Sequence, residues 1–168
     1  PESLFANLKD RPNIAAARVR EALNFPIERQ IEMTQTEARQ LPAILRSLFE
    51  GIGVLTLKET KLAKYGVRGI CLAEFPLPVI VFSKESPSAQ AFTLVHEFGH
   101  VLLKASGVSG EIERRPSGAD VERWCNRFTA DFLMPSDYVE TLFGPPPAQP
   151  AATIEDDQLA ALARSLRV

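Results

Sequence analysis

The sequence predicts an α+β domain, mostly helical, with a small sheet of about three strands packed on one buried helix. Three observations lead there. Apolar residues recur at helical spacing in several stretches along the chain. Three short runs rich in Val, Ile and Leu, at 54–58, 67–73 and 79–83, are separated by glycine or proline punctuation. The stretch 86–104, SPSAQAFTLVHEFGHVLLK, is apolar almost all the way round, as a buried helix must be. With 168 residues the chain can bury a sizeable core and is most simply one domain with appendages. The divisions expected are an N-terminal helical extension over 1–35, a main domain over 36–143, and a C-terminal piece over 144–168.

In chain order, residues 1–12 are loosely patterned. Asn13 is a candidate N-cap for a helix whose stripe is Ala15, Val19, Ala22 and Leu23, ending near Asn24 and Pro26. Residues 26–33 read as an extended connector. Thr34 and Glu37 have the form of a capping box, and Leu41, Ile44, Leu45, Leu48 and Phe49 follow at helical intervals up to Gly51. Pro42 requires a first turn or a kink there. After the three strands comes the buried helix, with Ser86 as N-cap, Pro87 at its first position and Gly107 just past its end. Residues 104–118 are polar and glycine-containing and read as a loop. A second helix is expected from Asp120, as N-cap, to Leu133, with Val121, Cys125, Phe128 and Phe132 inward and Arg123, Arg127 and Asp131 outward. Ser136 starts a short helix to Phe143. The proline-rich stretch 144–152 is a stiff connector, and Leu159, Leu162 and Leu166 mark the start of a last amphipathic helix.

The chemistry concentrates in His96-Glu97-Phe98-Gly99-His100. Two histidines four apart on a helix share a face and can bind one cation, while Glu97 projects about 100° away, toward a water that the metal would hold. Ala91, Leu94, Val95, Phe98, Val101 and Leu102 cover the rest of the helix, so the imidazoles and the carboxylate are buried and need partners. These are the only two histidines in the chain. A catalytic zinc takes three protein ligands, so the third is a carboxylate or a cysteine. Glu122 is favoured, because it lies beside the apolar stripe of the following helix, with Asn126 one turn on to orient a ligand by hydrogen bonding. Cys71, on a strand upstream, is the alternative. Glu111 and Glu113 read as solvated loop charges and Cys125 as a small apolar filler. Tyr65 and Tyr138 qualify as oxyanion stabilisers by chemistry alone.

The totals narrow the function classes. A formal charge of −2 leaves no electrostatic footprint for nucleic acid or an anionic membrane. No apolar run approaches a membrane span, no signal-peptide pattern opens the chain, and Cys71 and Cys125 make neither a disulfide framework nor a C-x-x-C site. A cytoplasmic setting is expected. Pro1 in place of methionine, and an end at Val168 inside a helical pattern, suggest a piece of a longer protein.

Residues 92–135 carry three motifs in order: Phe92-Thr-Leu-Val-His96-Glu97-Phe-Gly-His100, then Glu122-x-x-x-Asn126-x-Phe128-x-Ala130, then Leu133-Met-Pro135. This pattern resembles the ImmA/IrrE family of zinc metallo-endopeptidases, and a looser likeness extends back to about residue 36. The resemblance implies a zincin-like fold, with His96, His100 and Glu122 as zinc ligands and Glu97 as catalytic base. It also implies an intracellular protein substrate, in several relatives a helix-turn-helix repressor whose cleavage relieves repression in stress responses. A helix-turn-helix domain fused outside these residues is a further implication. Zinc is the expected metal, with manganese an alternative. Thr129 stands where a small alanine is common.

The expected activity is metal-assisted peptide hydrolysis, with Pro78–Ser83 or Val67–Ala73 as an edge strand that holds an extended substrate. The rival from another class is a metal-stabilised regulator that binds a transcription factor without cutting it. Direct DNA binding is disfavoured by the near-neutral charge.

Overall fold

In the computed structural model the described residues are 2–110, 118–144, 161 and 163–168. After a 3₁₀ turn at Glu2–Leu4 come α1 (Pro12–Ala22), α2 (Ile27–Ile31), α3 (Gln35–Arg39) and α4 (Leu41–Gly51). Then follow β1 (Leu55–Glu59), a 3₁₀ turn (Leu62–Tyr65), β2 (Val67–Leu72), β3 (Val79–Ser83), α5 (Pro87–Leu102), β4 (Gly107–Gly110), α6 (Ala119–Leu133) and α7 (Ser136–Phe143). The fold is α+β, as expected, but the sheet has four strands, in the order β1-β3-β2-β4. β1 runs parallel to β3, and β2 runs antiparallel to both β3 and β4.

The helix α5 lies on the inner face of β2 and β3, flanked by α4 and α6, and α1 packs on α6. Local chemistry sets its start: the Ser86 hydroxyl accepts from the Ala89 amide, and Pro87 supplies a pre-set φ at the first turn. Its apolar positions Leu94, Val95, Phe98, Val101 and Leu102 are completely buried. Phe98 stacks on Phe49 of α4 with ring centroids 4.3 Å apart, which fixes α4 against α5. Leu4, Val19, Phe25 and Met33 from the N-terminal helices join the same core as Phe128 and Phe132 of α6.

Several expectations are corrected. The connector 26–33 contains a one-turn helix, α2, because Pro26 can sit before a helix start as well as in an extended run. The Thr34–Glu37 capping box forms, but it caps the short α3, and Pro42 occupies the first turn of a separate α4. Arg11, not Asn13, precedes α1, with Pro12 at its first position. Gly118 stands at the N-cap of α6 and Asp120 lies inside its first turn, where its negative charge suits the helix dipole. The chain leaves α5 through Lys104 in the left-handed region (φ 54°), so Gly107 is not its stop signal. Gly107 instead begins β4, inside the stretch expected to be a loop, because pairing with β2 satisfies its backbone. Both strands proposed as sheet edges are internal. The edges are β1 and β4. Asp131 is buried, not outward, since Arg127 and Ser136 both donate to its carboxylate.

The expected positions of Glu111, Glu113, Leu159 and Leu162, and most of the 144–152 connector, lie outside the described residues. Leu166 is buried, as the last helical pattern requires. Among the described residues no helix is long and apolar enough to cross a membrane.

Candidate metal centre

Four residues apart on α5, His96 and His100 place their rings 5.1 Å apart by centroid, each imidazole nearly inaccessible to solvent. α6 crosses α5 and brings Glu122 over both. Its Oε2 lies 3.1 Å from His96 Nε2, and its Oε1 lies 2.9 Å from His100 Nε2. One nitrogen from each histidine and one Glu122 oxygen fall within 4.8 Å of one another.

Hydrogen bonding shows what this geometry needs. The Ala105 carbonyl can only accept, so His100 Nδ1, 3.1 Å away, carries the ring proton. A neutral His100 then turns the lone pair of Nε2 toward a carboxylate oxygen, and that nitrogen has no hydrogen-bond partner among the described residues. Two facing lone pairs repel unless a cation sits between them or the ring takes a proton. His96 Nδ1 and Glu97 Oε2 are likewise buried and unpartnered among the described residues. Burial opposes charge on His100, yet the adjacent Cys125 and Glu122 outweigh it and raise its pKa. Burial also works to raise the Glu122 pKa, and the two imidazoles overcome that and lower it. Two nitrogens and a carboxylate converging at this spacing fit a divalent metal ion.

Glu97 is completely buried between α5 and the sheet. Its Oε1 accepts from the Ser109 hydroxyl on β4. Gly69 of β2 lies against the carboxylate, and a Cβ there would collide with Glu97 Oε1. Burial pushes the Glu97 carboxyl up to about 7, a shift restrained by Ser109 and the two histidines. A carboxyl titrating there is suited to taking and returning protons near neutrality.

A cleft of about 450 Å³ opens onto this cluster, lined by Arg68, Phe92, Thr93, His96, Ser109, Gly110, Glu122 and Asn126. Asn126 stands on its rim, exposed, and makes no side-chain hydrogen bond to a candidate ligand, contrary to expectation. Neither tyrosine reaches the cleft. Tyr65 is 69% exposed on the 3₁₀ turn, and Tyr138 lines a different cavity beside α1. Cys71 is buried behind Glu97 and stands outside the converging set. Burial, with Glu97 nearby, pushes its thiol up and makes it a poor thiolate donor.

Residues 50–161 match the Peptidase M78 family, the IrrE N-terminal-like domain. The chain belongs to this ImmA/IrrE peptidase family. No curated protein matches it. The part of this M78 peptidase that matches its family runs from the end of α4 through the sheet, α5 and α6, and so contains every residue that lines the cleft.

The residues that sequence reasoning missed in this M78 peptidase lie on β2 and β4. Ser109 and Gly110 sit in a stretch read as a loop, and Gly69 lies inside a strand as an isolated glycine. A glycine in a strand signals close approach by another group, and that was the available clue for Gly69. Gly107 repeats the pattern at His100: a Cβ there would stand 3.1 Å from His100 Cε1.

Proposed function

We propose that this M78 peptidase is a zinc-dependent endopeptidase acting on an intracellular protein, with a helix-turn-helix transcriptional repressor as the substrate class. The observation that carries the metallopeptidase part is the convergence of the His96, His100 and Glu122 donor atoms beside a buried, partly satisfied Glu97. His96 Nε2, His100 Nε2 and the Glu122 carboxylate would hold the metal. When bound, zinc lowers the pKa of a water to about 7 and polarises a carbonyl.

The chain's own residues then supply the proton work. Ser109 and Gly69 fix the Glu97 carboxylate on one side and leave Oε2 available. Glu97 takes the proton from the attacking water and later delivers it to the leaving amine. Ala105 holds His100 in the tautomer that keeps Nε2 free for the metal. The open cleft admits an extended segment of chain, with Gly110 and Ser109 of the edge strand β4 along one side. The resemblance of residues 92–135 supports the repressor as substrate, and the two free, buried cysteines agree with a reducing cytoplasm.

The test is Glu97→Gln, assayed for cleavage of helix-turn-helix repressors from the same genome, with elemental analysis of the same samples. The expected result is a fall in hydrolysis of about 10²–10⁴-fold with zinc retained. A variant that still cuts, or an unaltered protein that binds such a repressor without cutting it, would sink the endopeptidase reading. Elemental analysis also decides between zinc and manganese.

A further inference from the structure

We infer that Arg68 forms a carboxylate subsite at the rim of the cleft, so that the chain selects peptides presenting a carboxylate close to the scissile bond. The inference rests on the peptidase reading above and names a preference that the reading leaves open. Arg68 lies on β2 next to Gly69, the residue on which the Glu97 carboxylate rests. Successive strand residues point to opposite faces, so the backbone that seats Glu97 inside also presents a guanidinium outside. Arg68, at the register shift between Val67 and Gly69, lines the same cleft as His96 and Glu122.

Three features suit it to an incoming carboxylate. Its Nε lies 3.7 Å from Glu85 Oε1, and the Arg68 side chain is 68% exposed. Glu85 is the more covered partner, 23% exposed, but a separation that long holds the Arg68 guanidinium only loosely. The pair engages only Nε, and no hydrogen bond to the terminal nitrogens is found among the described residues, so the planar fork can receive two oxygens at once. The remaining charge in the cleft also favours an anion. Among the described residues that line it, Arg68 and Glu122 are the only Arg, Lys, Asp or Glu side chains, and a divalent metal would more than neutralise Glu122. On the α5 side, Phe92 is 41% exposed with its ring tilted 22° from that of His96. An apolar plate on the helix and a cation on the sheet give the cleft two different sides. A substrate carboxylate belongs on the sheet side, with an apolar side chain against α5.

That carboxylate could be an internal Asp or Glu side chain or the free end of the substrate chain, and the experiment separates them. The probe is a set of decapeptide pools of neutral sequence carrying an uncharged BODIPY label, bound to the zinc-loaded Glu97→Gln protein and read by anisotropy. One pool carries an internal Glu and an amidated end. A second has no acid and a free carboxyl end, a third has neither, and a fourth has Lys in place of Glu. The first or second pool should bind about five- to tenfold more tightly than the third, and the fourth more weakly. Arg68→Gln should erase these differences, Arg68→Glu should favour the Lys pool, and zinc content should stay the same in both. Equal binding of all pools, no measurable binding, or a preference that survives Arg68→Gln overturns the subsite. Loss of the peptidase reading shows separately, as no hydrolysis of any pool by the unaltered zinc-loaded protein.

Discussion

Two of the buried polar clusters among the described residues differ in whether their hydrogen bonds close. In the first, Arg20 of α1 donates to Gln30 Oε1 at 3.0 Å and to the Phe132 carbonyl at 2.6 Å. Gln30 passes the network on to the Leu133 and Leu166 carbonyls at 2.9 and 2.6 Å. The guanidinium lies over the rings of Phe25 and Phe132, so its unpaired Nη2 belongs to a cation sheltered by aromatic faces. Burial lowers the Arg20 pKa to about 10, still well above neutrality, so the group stays charged. This cluster ties the end of α6 to the N-terminal helices and to the last residues of the chain. The second cluster, around His96, His100, Glu97 and Glu122, brings acceptors together and leaves buried atoms without partners. A closed network of buried polar groups holds a fold together. One left open toward a common point is arranged for something that is still to arrive.

Substitutions should separate the two. The largest effect is expected at Glu122→Gln, which removes a charged donor from the open cluster. Zinc affinity should fall at least about a hundredfold, since even groups behind the ligands are worth 10–100-fold. At a zinc concentration a hundred times the original Kd, the unaltered protein gains about 2.7 kcal/mol from the metal, and the variant should lose most of that gain. Titration with a zinc indicator and melting curves with and without chelator measure both. Next, Arg20→Met leaves the Gln30 side-chain oxygen and the Phe132 carbonyl without their donor. The expected cost is about 3 kcal/mol, and zinc content should not change. Urea unfolding of the metal-free protein checks it. An Arg20→Met protein that loses zinc would break the division between the clusters. The smallest effect serves as a control outside both. Thr34→Ala opens the α3 capping box, in which the Thr34 hydroxyl accepts from the Glu37 amide, and should cost about 1 kcal/mol without affecting zinc binding or hydrolysis.

Legibility from the sequence follows the same divide between local and non-local causes. α5 could be read almost residue by residue, because its N-cap, its proline and the four-residue interval of its histidines are all local signals. The placement of Glu122 was legible for a similar reason: helical periodicity sets it beside the stripe of α6, and only one crossing of helices is needed to bring it over α5. The order of the strands was not. β3 and β2 look like any short apolar run, and nothing local says that β1 and β4 would flank them. β4 was missed altogether, since Gly-Val-Ser-Gly has weak strand propensity and becomes a strand only by pairing with β2. The burial of Asp131 was hidden too, because α7 must fold back before Ser136 can reach it. Tyr65 and Tyr138 had suitable chemistry, but their distance from the cleft is a tertiary fact.

The short strand β4 carries Ser109 to Glu97 while its neighbour Val108 is 41% exposed on the opposite side. Gly110 is held to its place in that strand, since any Cβ there would collide with the Gly66 carbonyl. The number of residues between His100 and Gly110 is thus set from both ends. Lengthening this passage by one residue would swap Val108 and Ser109 across the sheet, bury an isopropyl group against the carboxylate and put the hydroxyl in water. Relatives of this chain should therefore tolerate changes of residue type here far more readily than changes of length.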